Sequence, residues 1–119
     1  GRALADAQAL VRDQPTMAAN HILLAEAYRG KGEKRLAELA FRAARKDFPA
    51  HEPLFAAYLD FLRGEGRNAA ALTLAEDFTM ANAASAAGWK AKAELCAAAA
   101  DPQCAAAAAD TYQRLIAGP

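Results

Sequence analysis

Apolar residues along this chain recur at steps of three and four, the spacing that lines one face of an α-helix. Ala3, Ala7 and Leu10 form one such set, and Leu24, Ala25 and Tyr28 another. Ala37, Phe41 and Ala44 follow, then Phe55, Tyr58, Leu59 and Leu62, then Ala71, Ala75 and Phe78. The last two sets are Trp89, Ala93 and Cys96, and Ala105, Ala109 and Tyr112. Glycines and capping residues separate them. Gly32 and Gly66 stand where a residue free to take positive φ ends a helix, Ser85 suits an N-cap, and Asp101-Pro102 reads as a cap followed by a first helical position. Pro53 suits a first turn in the same way. The pattern predicts helices near residues 2–13, 17–30, 33–47, 52–64, 67–80, 85–99 and 102–117.

The sets repeat with a period of 34 residues. The clearest copy runs over 18–51, with His21, Leu24, Ala25, Tyr28, Gly32, Ala37, Phe41, Ala44 and Pro49 at repeat positions 4, 7, 8, 11, 15, 20, 24, 27 and 32. A second copy over 52–85 puts Phe55, Tyr58, Leu59, Leu62, Gly66, Ala71, Ala75 and Phe78 in the same register, with Ala83 where the proline falls. A third copy over 86–119 contributes Trp89, Ala93, Cys96, Ala105, Ala109 and Tyr112. Residues 1–17 read as the second helix of a further copy, with Ala3, Ala7, Leu10 and Pro15 at positions 20, 24, 27 and 32. This sequence thus opens on half a hairpin, whose apolar residues would be left uncovered. The alternative is a helical bundle whose alanines coincide by chance, but Tyr28, Gly32, Phe41 and Pro49 hold the register without any alanine.

These positions resemble the tetratricopeptide repeat (TPR) family, with His21 in place of the usual tryptophan, Ala25 in place of the usual glycine, and Trp89 in the tryptophan slot of the last copy. The resemblance implies an all-α fold: a right-handed superhelical stack of antiparallel helix pairs, an α-solenoid of about seven helices in a single domain. Positions 8 and 20 would meet where paired helices cross most closely, so small residues are expected there. Ala25 with Ala37 and Ala93 with Ala105 satisfy that, whereas Leu59 opposite Ala71 predicts a somewhat splayed or shifted second hairpin. Three hairpins and a half meet the need for several repeats to stack.

Composition fits. Alanine makes up 36 of 119 residues, and runs of Val, Ile or Thr that favour strands are nearly absent. The excess of alanine points to a GC-rich bacterial genome. Fourteen basic and 14 acidic residues cancel, which removes the global field that attracts nucleic acid or an anionic membrane. Charged residues interrupt every apolar stretch before it reaches spanning length, so no direct membrane insertion is expected.

Chemistry is sparse. His21 and His51 lack metal-ligand spacing, no Gly-rich phosphate loop is present, and no catalytic constellation stands out, so neither an enzyme nor a cofactor protein is expected. His21 is expected as a partly buried ring in the tryptophan slot. Cys96 and Cys104 fall near one level of an antiparallel hairpin with alanines around them. They read equally as a disulfide, which implies an oxidising compartment such as a periplasm, or as two buried thiols of a cytoplasmic protein. The basic excess of 33–47, from Lys34, Arg35, Arg42, Arg45 and Lys46, reads as a solvated face.

The family resemblance further implies that the first helices line a concave groove. Its ligand positions fall on Ile22, Glu26 and Arg29, on Ala56, Asp60 and Arg63, and on Lys90 and Glu94. Glu26, Asp60 and Glu94 would form an acidic row, with Arg29 and Arg63 each three residues after an acid and able to pair with it. The family members that grip a C-terminal carboxylate use lysine and asparagine in the groove, and only Lys90 matches here. A protein or peptide segment with basic and apolar residues suits the row better; a solvated face of balanced charge is the other reading. Assembly of copies through uncovered ends, including Leu115 and Ile116, and service as the recognition arm of an enzyme whose catalytic domain lies elsewhere, are the remaining function classes.

Overall fold

The computed structural model describes residues 2–119. Among them are seven α-helices and no strand: α1 (Arg2–Asp13), α2 (Ala18–Gly30), α3 (Lys34–Asp47), α4 (Glu52–Gly64), α5 (Asn68–Ala81), α6 (Ala86–Ala98) and α7 (Pro102–Ala117). Every helix end lies within a residue of its expected place. The punctuation explains this: Ser85 Oγ accepts from the Gly88 amide at 3.2 Å, and Asp101 accepts from the Cys104 amide at 3.1 Å with Pro102 in the first turn.

The backbone of the turns repeats along with the sequence. After α2, α4 and α6 the same bond closes the helix end: the amides of Glu33, Arg67 and Asp101 donate to the carbonyls of Tyr28, Leu62 and Cys96, each at 2.9 Å. A second bond joins the amides of Gly32, Gly66 and Ala100 to the carbonyls of Arg29, Arg63 and Ala97, each at 3.0 Å. Together these make a Schellman cap, which needs a left-handed residue just past the helix. Gly32 (φ 77°), Gly66 (φ 71°) and Ala100 (φ 59°) supply it, one per copy. The turns after α1, α3 and α5 repeat too. Gln14, Phe48 and Asn82 donate to Leu10, Ala44 and Phe78, and Met17, His51 and Ser85 donate to Gln14, Phe48 and Asn82.

The chain divides into two compact units, one ending at Tyr58 and one formed by Leu59–Pro119. In the first, α2 packs against both α1 and α3. Ala25, Ala37, Phe41 and Ala44 are fully buried, so the small pair at positions 8 and 20 does sit in the core. Phe41 stacks on Tyr58 with centroids 5.1 Å apart and planes 3° from parallel. Asn20 is buried at 6% exposure because it acts as a cap: its Nδ2 donates to the carbonyls of Gln14 (3.2 Å) and Leu10 (3.5 Å) at the end of α1. One expectation needs correction here. Ala3 is exposed and Leu10 half-buried, but Ala7 is only 4% exposed, because it lies on the floor of a cleft closed on one side by Leu23, Glu26 and Ala27 of α2.

In the second unit, α6 packs against α5 and α7. Leu59, Phe61, Leu62, Ala71, Leu74, Ala75, Phe78, Leu95 and Cys96 form its core, with both Leu59 and Ala71 buried. Gly88 lets α6 approach α5 closely: a Cβ there would fall 2.8 Å from Cδ2 of Phe78. Cys96 and Cys104 are joined by a disulfide, with Cα atoms 5.7 Å apart, which ties the end of α6 to the start of α7.

Candidate partner-binding groove

Aromatic latches set the entry of the first helices. His21 of α2 donates from Nε2 to the carbonyl of Pro15 at 2.7 Å, and Trp89 of α6 donates from Nε1 to the carbonyl of Ala83 at 2.8 Å. The acceptor lies six residues upstream in each case, at the equivalent repeat position. A carbonyl only accepts, so the His21 ring carries its proton on Nε2 and performs the task of the indole N–H. The ring also meets Phe48 at 5.5 Å between centroids, and His21 is half-buried, as expected for a packing position. Lys92 Nζ sits 5.1 Å from the Trp89 centroid, a cation–π contact on the same helix.

In the first unit, Ile22, Glu26 and Arg29 are half-buried on α2 and Ala56 is exposed on α4. Arg29 approaches Glu26 at 3.9 Å, the pairing expected for residues three apart, with side chains 32% and 42% exposed. In the second unit, Asp60 and Arg63 on α4 are exposed, as is Glu94 on α6, while Lys90 on α6 is exposed too. Arg63 Nη2 donates to Glu94 Oε1 at 3.2 Å, a bond between neighbouring first helices. This pairing across helices was missed by reasoning along one helix. Its signal was present in the repeat all the same, since position 12 of one copy stands 31 residues before position 9 of the next.

At 39% and 52% side-chain exposure the Arg63–Glu94 pair adds at most about 1 kcal/mol of stability. Its value lies in orienting polar groups on an accessible face. No group of three or more His, Cys, Asp or Glu among the described residues is placed to hold a metal ion. No helix among them is long and apolar enough to cross a membrane. Comparison of the chain with models of known protein families and with curated protein sequences gives no match.

Proposed function

We propose that this chain is a TPR-like interaction scaffold, in which the accessible faces of α2, α4 and α6 bind a segment of a partner protein. The observation that carries the reading is the repetition of turn hydrogen bonds at the sequence period, because backbone geometry at a helix end is independent of the alanines that inflate a sequence match. On these first helices Ile22, Glu26, Arg29, Ala56, Asp60, Arg63, Lys90 and Glu94 serve as contacts. Acids at position 9 of each copy favour a ligand with lysine or arginine among apolar residues. The role is binding, not catalysis, and the disulfide fits an oxidising compartment.

A second reading has its own support. On α7, Ala109 is exposed, Leu115 half-buried and Ile116 55% exposed, so an apolar stripe is open to assembly with another copy. Partner capture by the immobilised chain separates the two: Asp60→Lys or Arg63→Glu should abolish recovery of a bound protein, while Ile116→Glu should not. Recovery insensitive to both groove changes would overturn the scaffold reading. A concentration-dependent mass in light scattering that Ile116→Glu removes would replace it with assembly.

A further inference from the structure

The outward face of α3 departs from the rest of the repeat. Its core edge is Ala37, Phe41 and Ala44, and the side turned away from that edge carries Leu36, Leu39 and Ala43 with Arg35, Arg42 and Lys46 beside them. All six are exposed, the two leucines at 41% and 49%. Packing of the repeat does not call for such residues. The equivalent apolar places hold Ala70, Thr73 and Asp77 in α5 and Cys104, Ala107 and Thr111 in α7. The equivalent basic places hold Ala69, Glu76 and Met80, then Gln103, Asp110 and Arg114. Whole helices precede and follow α3 in the chain, so its open face does not arise from where the sequence begins. Arg42 approaches Glu38 at 3.5 Å, while Arg35 and Lys46 make no ion pair among the described residues.

We infer that this face of α3 docks an acidic amphipathic helix of a partner protein. Leu36, Leu39, Ala43 and Lys46 follow one another at steps of three and four, as the a and d positions of a two-helix seam do. Arg35 and Arg42 then fall at the g positions, whose charges select the partner. The strip from 35 to 46 runs about 17 Å, three turns of helix. Over that length an apolar stripe on the partner covers the two leucines, and acids along the edge of the stripe meet the three cations. An anionic membrane fits less well: no aromatic residue stands among the apolar ones, exposed Asp47 follows the last cation, and the chain carries no net charge. The groove of the first helices presents acids and favours a basic ligand, so the α3 site takes a different partner segment and does not depend on that reading.

The probe is a labelled synthetic helix of about three heptads with leucine at a and d and glutamate at e and g, titrated against the 119-residue chain by fluorescence anisotropy. Saturable binding is expected, weakened at least about tenfold by Arg35→Glu with Lys46→Glu. Leu36→Ala with Leu39→Thr should weaken it as much, and these changes install the residues that α5 carries at the same places, so the helix content seen by circular dichroism should persist. A probe with lysine in place of glutamate should bind the Arg35→Glu, Lys46→Glu chain more tightly than the natural one, with Asp60→Lys in both chains to keep the probe off the groove. A disturbed fold does not produce that gain. Arg63→Glu should leave binding of the acidic probe unchanged, so failure of the groove and failure of the α3 face are told apart. Absence of saturable binding, or a charge swap without gain, overturns the proposal. Cosedimentation with phosphatidylserine vesicles that Arg35→Glu with Lys46→Glu abolishes overturns it in favour of a membrane. A dimer of the chain alone that Leu36→Ala with Leu39→Thr dissociates overturns it in favour of a second copy.

Discussion

Ala100 is the residue at which the sequence departs from what the backbone asks. At the equivalent turns Gly32 and Gly66 take φ of 77° and 71°, where a Cβ-free residue is at ease, yet Ala100 adopts φ 59°. A left-handed alanine costs about 1 kcal/mol relative to the right-handed region. Ala100→Gly should therefore raise stability by about 0.5–1 kcal/mol even though glycine adds freedom to the unfolded chain, and Gly66→Ala should lower it by about 1 kcal/mol. Urea denaturation of both variants checks the opposite signs; equal signs would mean that the turn relaxes. Gly88 carries the reverse constraint, space without unusual φ. A Cβ at this position would lie within 3.2 Å of both Phe78 and Thr79, so Gly88→Leu should cost about 3 kcal/mol by overpacking. Leu54 holds the same repeat position at 1% exposure, so leucine is tolerated where the neighbour leaves room.

At the scale of elements, the latch at α2 and at α6 is a hydrogen bond from a ring N–H to the carbonyl six residues back. Phe55 occupies the equivalent position of α4 and has no such donor. Trp89→Phe should then remove one bond while keeping an aromatic ring, at a cost of about 1 kcal/mol, and His21→Trp should be close to neutral. Thermal unfolding of the two variants tests this, and a larger loss for His21→Trp would mean that Phe48 leaves no room for an indole. The elements themselves were legible in the sequence because their signals are local. Tyr28, Gly32, Phe41 and Pro49 carry the register, and Ser85 and Asp101 mark helix starts by their own side chains. Contacts between elements were less legible. Asn20 looks like an ordinary polar position until the carbonyls of Leu10 and Gln14 arrive beside it, and Arg63 has an acid on its own helix as well as Glu94 on α6. Gly88 was hidden among alanines, since a run of small residues does not reveal which one faces a phenylalanine. Cys96 and Cys104 were placed at one level by spacing alone, which left open whether their helices approach closely enough to bond.

Within each unit the packing is short in range, α2 against α1 and α3 in the first and α6 against α5 and α7 in the second, as in a chain whose stability is a sum of local terms. The disulfide spans a sequence separation of only 8 and encloses the one turn that lacks its glycine. Closing so short a loop restricts the unfolded chain by about 2 kcal/mol, comparable with the cost of a left-handed alanine plus a half-covered terminal helix. Reduction, or Cys96→Ala with Cys104→Ala, should therefore act locally. Amide exchange should rise in α7 and in the last turn of α6, while the amides of α2 and α3 around Ala37, Phe41 and Ala44 keep their protection. Adding Ala100→Gly to the cysteine-free chain should recover part of the loss, because the turn then closes without help from the bridge. Uniform acceleration across all seven helices would mean that the chain unfolds as one cooperative body. In that case the local accounting drawn from the repeat would be wrong.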